Sequence, residues 1–248
     1  FGSNAFKAND WPLQWNLLVL FKPNLTTCSN TNISLINIPA NATWIQNGMT
    51  VAGSNGKGIG TNQVNEPYGL FLDDQQTVVI ADQMNHRITQ WKNDNKNNEQ
   101  VIAGDNGDRS ALNQLNQPTD VLIDKETDSL IICDHGNRRV VQWSCRSGAK
   151  EGIVVAGDQG TGTALTQLSY PYGLFNDTLY TLYVADSWNH RVIRWIQGVK
   201  QGTVIVGGNG AGAGANQFSV PVALSFDRHG NLYVVDHDNN RIQRFSIE

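Results

Sequence analysis

The sequence predicts an all-β chain: a β-propeller of four clear four-stranded blades, with residues 1–48 either a surface leader or an eroded fifth blade. Three observations predict it. A twelve-residue line recurs from Ile80, Ile132, Val184 and Val234, each time carrying Asp-x-x-Asn-x-Arg and then alternating apolar residues. Its aspartates, Asp82, Asp134, Asp186 and Asp236, lie 52, 52 and 50 positions apart, and an independent marker, Pro67, Pro118, Pro171 and Pro221, keeps spacings of 51, 53 and 50. Within each unit the apolar residues alternate as strands do, and no sustained 3.6-residue period supports a helical solenoid.

The third unit shows how the elements follow. Tyr172 to Phe175, Leu182 to Ala185, Arg191 to Trp195 and Thr203 to Val206 are short, β-branched or aromatic, and separated by Gly, Asn, Asp and Ser, so four antiparallel strands are expected. Blades of this kind stack radially and bury faces that one blade alone leaves open. The last unit stops after its third strand, while Met49 to Gly53 reads as an outer strand, like Gln100 to Gly104, without inner strands of its own. Residues 49–53 are therefore expected to pair with Arg241 to Ile247, closing the ring and removing an exposed edge. The domain division is 1–48 and 49–248; Leu17 to Phe21, Ile33 to Ile38 and Asn41 to Trp44 would supply the partial strands of an eroded blade.

Composition narrows the partners. The 248 residues are 40% hydrophobic and 16% charged with a formal charge of −4, and no basic block is present. That balance fits a packed core and disfavours nucleic acid or an anionic membrane. The longest apolar run, Leu17 to Phe21, is far shorter than the roughly 20 residues of a bilayer-spanning helix, so no membrane span is expected.

The Asn-His-Arg with its preceding Asp, the Pro-Tyr-Gly-Leu opening and the Gly-rich lead-in resemble the NHL-repeat propellers over residues 49 to 248. Arg87, Arg139, Arg191 and Arg241 stand third in the signature, and Arg138 and Asn240 replace the His in two units. The resemblance implies the propeller fold, commonly with six blades. It also implies three classes of activity: a protein-binding or ligand-binding scaffold, a propeller lyase or hydrolase, and an RNA-binding or ubiquitin-ligase substrate-recognition module. No RING or coiled-coil pattern precedes the blades. A local basic patch of Arg138, Arg139, Arg146 and Lys150 is the feature that would favour RNA.

Residues present in every unit are read as structural. Asp82, Asp134, Asp186 and Asp236 end a strand where turn N–H groups can be accepted, and Arg87, Arg139, Arg191 and Arg241 can bridge carboxylate and carbonyls. The Gly-rich loops, such as Gly53 to Gly60, lack the following helix that a phosphate-binding loop needs, and are read as inter-blade connections. The histidines show no fixed metal-ligand spacing, so no metal, cofactor or catalytic residue is assigned. Breaks in the repeat point to binding instead. Tyr68, Asp120 and Tyr172 diverge at the mouth of the inner strands, and His135, Trp188 and His237 lie in the turn that strand parity puts on the same face. Together they form an expected rim for a protein, peptide or small molecule on a monomeric scaffold.

Three cysteines, Cys28, Cys133 and Cys145, leave one unpaired even if Cys28 and Cys145 bridge. Acceptor sequons at Asn24, Asn32, Asn41 and Asn176 make an extracellular or secretory glycoprotein the expected setting, and a cytoplasmic one the alternative if the chain belongs to a ubiquitin-ligase-type protein.

Overall fold

The computed structural model describes residues 43, 50–53, 55–73, 77–92, 100–145 and 149–247. They form four antiparallel sheets. The first holds β1 (Pro67–Leu72), β2 (Val78–Asp82), β3 (Arg87–Trp91) and β4 (Gln100–Gly104). The second holds β5 (Asp120–Asp124), β6 (Ser129–Asp134), β7 (Arg139–Ser144) and β8 (Ile153–Gly157); the third holds β9 (Pro171–Asn176), β10 (Leu182–Asp186), β11 (Arg191–Trp195) and β12 (Thr203–Gly207). The fourth has three strands, β13 (Pro221–Phe226), β14 (Leu232–Asp236) and β15 (Arg241–Phe245). The first strand of each sheet is innermost: β1 packs on β5, β5 on β9, and β9 on β13. This is a four-blade propeller arrangement.

Alternation along the strands gives each blade two apolar faces. Val79, Ala81 and Ile88 of the first blade pack against Leu130, Ile132 and Trp143 of the second. Cys133 and Val140 then meet Leu182, Val184 and Trp195, and Ala185 and Val192 meet Leu232 and Val234. The same slots are thus used at all three junctions, with side chains that are essentially water-free.

A buried polar clamp fixes each blade to the loop that leads into it. Asp82 Oδ1 accepts from Asn65 N–H at 2.7 Å, and Oδ2 accepts from Asn85 Nδ2 and Arg87 Nε, both at 2.8 Å. Arg87 spends its remaining donors on three carbonyls, Ile59 (2.9 Å), Gly60 (2.7 Å) and Gln63 (3.1 Å). Asp134 with Arg139, Asp186 with Arg191 and Asp236 with Arg241 repeat the pattern. A guanidinium has five N–H donors in a fixed fork, which is why one arginine can hold both a carboxylate and a curved loop. Of the four residues of the basic patch, Arg139 is enclosed in its clamp with 1% of its side chain exposed, and Arg146 lies outside the described residues.

The expected ring closure is corrected. The fourth sheet ends at β15, and Ala52 packs instead beside Val78, Ile80 and Trp91 of the first blade. Gly53 leads into the loop that Arg87 grips just as Gly104 leads into the loop that Arg139 grips, but among the described residues no fourth strand joins β15. The expected strands between 17 and 44 lie outside the described residues, as do Asn24, Asn32, Asn41 and Cys28. Among the described residues neither cysteine forms a disulfide: Cys133 is buried, its thiol donating to Pro171 O at 3.2 Å, and Cys145 is exposed. Among the described residues no helix is long and apolar enough to cross a membrane.

The clamp makes a graded prediction. Arg139→Leu strands a buried carboxylate and is expected to lower unfolding free energy by about 3–5 kcal/mol. Arg241→Leu should cost clearly less, since the Arg241 side chain is 29% exposed and water can replace its bonds. Urea denaturation of the two variants, compared by midpoint at unchanged slope, checks the order.

Candidate functional site

The turn after each second strand is a single 3-10 turn in the first three blades, closed by a left-handed residue: His86 (φ 56°), Arg138 (φ 58°) and His190 (φ 52°). In two blades that left-handed histidine has a structural task. His86 Nδ1 accepts the backbone N–H of Gln117 at 3.1 Å, and His190 Nδ1 that of Val220 at 3.3 Å, tying each blade to the entry of the next. Accepting at Nδ1 requires the proton on Nε2.

Between the second and third blades this tie is replaced by a coupled pair. Arg138 stands in the histidine slot and Tyr170 in the slot of Gln117 and Val220. The guanidinium lies over the Tyr170 ring, 4.5 Å from its centroid, and donates from Nη2 to the phenol oxygen at 2.6 Å and from Nη1 to Gly136 O at 2.9 Å. Cation–π stacking of this kind contributes on the order of 1 kcal/mol.

Tyr170 is the centre of a row of rings. It stands 4.9 Å from Trp188 and 5.3 Å from His135; His135 meets Tyr172 edge-on at 4.5 Å, and Tyr172 stands 6.1 Å from Tyr68. The Tyr68 to Tyr172 approach spans the second blade, whose residue at the matching position is the small Thr119. That side chain is buried and donates Oγ1–H to Tyr172 O at 2.9 Å. The ends of the row reach solvent, Trp188 with 56% and Tyr68 with 39% of its surface exposed. Burial raises the phenol pKa of both Tyr172 and Tyr68, with Glu66 adding to the rise at Tyr68, so both hydroxyls remain protonated donors at neutral pH.

The six expected rim residues therefore fall into three groups. Tyr68, Tyr172, Trp188 and His135 share the row, with His135 buried inside it. Asp120 is an inter-blade staple: Oδ2 accepts Leu174 N–H at 2.8 Å and Oδ1 accepts Val121 N–H at 2.9 Å. His237 belongs to the fourth blade and pairs with Asp238 at 2.8 Å. Tyr170 was absent from the expected set, although its signal was legible: the residue before each repeat proline reads Glu66, Gln117, Tyr170 and Val220, and only the third is aromatic. Among the described residues, no group of three or more His, Cys, Asp or Glu side chains gathers as a metal site would require.

His135 carries the pH dependence of this region. Its Nδ1 lies 2.9 Å from Pro171 O, and since a carbonyl only accepts, the neutral ring carries its proton on Nδ1, the opposite tautomer to His86 and His190. Burial, reinforced by Arg138, lowers its pKa to about 4. In the unfolded chain the ring protonates near its ordinary value, so between that value and about 4 the unfolded state binds the extra proton and stability falls with falling pH. The loss reaches on the order of 3 kcal/mol by pH 4. His135→Gln, which installs the residue of the equivalent Gln83 position, should flatten the slope of unfolding free energy against pH between 6.5 and 4, measured by urea titration at successive pH values.

Residues 218–245 match the NHL repeat family. No curated protein sequence matches the chain. Among solved structures, an auxiliary nutrient binding protein of Bacteroides thetaiotaomicron superposes with a TM-score of 0.57 at 12% identity, over 74% of this chain and 48% of the other. Its Bacteroides ovatus counterpart gives 0.58 at 12% identity, over 73% and 48%. A streptogramin B lyase gives 0.50 at 10% identity, over 73% and 54%. The chain thus spans about half the length of the structures it resembles, and at such identities the likeness concerns the fold. The repeat match at 218–245, the same signature in the three preceding units and the blade arrangement make this chain an NHL-repeat β-propeller.

Proposed function

We propose that the chain is a non-catalytic binding module whose ligand site is the aromatic row on the face shared by the second and third blades. The observation that carries this reading is the coupled exchange of a histidine tie for Arg138 and Tyr170. Elsewhere the repeat keeps a backbone-to-imidazole bond at this position. Here that bond is replaced by rings and a cation whose ends are exposed. Large amphipathic rings with hydroxyl donors and one guanidinium suit a ligand with an apolar face and hydrogen-bonding edges, such as a peptide segment or a small polar organic molecule. The resemblance in fold to proteins named for nutrient binding agrees with a binding role. The lyase reading has no converging nucleophile, base and orienter to rest on among the described residues.

Trp188 reports on the site directly. Titration with panels of neutral oligosaccharides and of proline- and tyrosine-containing peptides should produce a saturable change in tryptophan fluorescence. The double variant Arg138→His with Tyr170→Gln restores the pairing found between the first and second blades, so it should fold normally while weakening binding about tenfold or more. Equal affinity in that variant would remove the row from the site.

We infer in addition that the chain passes through the secretory pathway. The support is the Asn176-Asp-Thr178 sequon, which ends β9 at a hairpin turn with Thr178 exposed, where a glycan would project from the edge of the blade. Expression in a secretory host should give a mass that falls on glycosidase treatment, and Asn176→Gln should remove part of that difference.

A further inference from the structure

We propose that the aromatic row takes a proline-rich segment in the polyproline II conformation, so that its partner is a peptide or protein and not a sugar. This rests on the reading of the row as the ligand site and names the occupant.

The row presents a pair of rings at each end. Trp188 and Tyr170 stand 4.9 Å apart with 44° between their planes, and Tyr68 and Tyr172 stand 6.1 Å apart with 53° between theirs. Each pair joins one exposed ring to one partly buried ring, and neither pair is stacked flat. The partly buried rings are held in place, Tyr170 by the guanidinium of Arg138 and Tyr172 by the edge of His135. Rings already fixed in this way lose little side-chain entropy when a ligand settles on them.

Spacing fits a helix of this kind. Tyr170 and Tyr172 stand 5.3 and 4.5 Å from His135, which puts the two pairs within roughly one turn of polyproline II, three residues at about 3.1 Å each. From Trp188 to Tyr68 the four ring-to-ring steps set an upper length of roughly 20 Å, which about six or seven such residues span.

Hydrogen bonding then selects the occupant. The acceptors along the row are already engaged: Pro171 O faces His135 Nδ1 and the Cys133 thiol, and Asp120 accepts the N–H groups of Val121 and Leu174. The charges beside it are matched, since Arg138 donates to Tyr170 and Gly136, and Glu66 pairs with Lys57 at 2.7 Å. The Tyr68 hydroxyl and the Trp188 indole N–H are donors bonded to no acceptor among the described residues, and they stand at opposite ends of the row. Sugar hydroxyls bring donors as well as acceptors, and the row has no acceptors to spare for them. A ligand strand would need a sheet edge, but the backbone groups nearest the row, Tyr172 O and Leu174 N–H, are taken by Thr119 and Asp120. A proline-rich segment matches on every count: its backbone carbonyls accept, its prolines bring no N–H, and its apolar rings lie on aromatic faces.

The full chain is to be titrated by calorimetry with triproline, hexaproline and decaproline, and with a ten-residue Gly-Ser peptide and cellohexaose as the competing classes. Affinity should rise tenfold or more from triproline to hexaproline and change less than about threefold from there to decaproline, while the Gly-Ser peptide and cellohexaose give no saturable heat. Trp188→Ala, at an exposed position, should weaken hexaproline binding about tenfold or more with an unchanged circular dichroism spectrum and urea midpoint. Tyr68→Phe, which removes only the donor, should weaken it about threefold or more. Absence of decaproline binding, equal binding of the Gly-Ser peptide, or binding indifferent to both Trp188→Ala and Tyr68→Phe would overturn the proposal. If cellohexaose binds instead and loses affinity in Arg138→His with Tyr170→Gln, the occupant is wrong and the row remains the site; if decaproline binds that double variant as tightly as the parent chain, both readings fall.

Discussion

A guanidinium shut away from water must find protein acceptors for its N–H groups, and each blade meets that demand by wrapping a loop around one arginine. Arg87 reaches Asp82 and three carbonyls of the loop before its blade, and Asp82 in turn accepts the N–H of Asn65 at the entry to the inner strand. Third strand, second-strand turn and lead-in loop are thus fastened at one point in every unit. Apolar packing between blades then has fixed sheets to work with. Removing one partner would leave the other charged and dry, so the pair specifies geometry more strongly than it adds net stability.

Because the clamp uses the repeated polar residues in full, distinct chemistry can only come from positions where the units differ. The exchange of His for Arg138 is tolerated because Tyr170 changes with it, and the small Thr119 lets Tyr68 and Tyr172 approach each other across the second blade. The fourth blade differs in another way. Its interior face is as well packed as the others, with Leu232 and Val234 buried, while its outer face carries the same apolar pattern in water.

Strand positions were legible to within one or two residues, since two markers kept one period and the apolar alternation was unbroken; β4 and β11 begin and end where the sequence suggests. Ring closure was not legible, because Met49 to Gly53 has the composition of an outer strand but composition does not say which strand, if any, lies beside it. Tyr68, Tyr172 and Trp188 could be singled out as divergent aromatics. The stapling task of Asp120 was not legible, since nothing in a linear pattern shows that its carboxylate meets the N–H of Leu174, a residue 54 positions away. The role of Tyr170 depends on Arg138, and that pairing lies across a blade boundary, where no local pattern shows it.

The loop that each arginine grips lies close by in the chain: the bonds of Arg87 span 28, 27 and 24 residues, whereas bonds between neighbouring inner strands span 52 to 54. Each unit can therefore complete its own fastening before the following unit has been synthesised, and docking to the neighbour comes afterwards. For an all-β chain this keeps loop-closure entropy low and lets order spread from one unit to the next along the growing polypeptide.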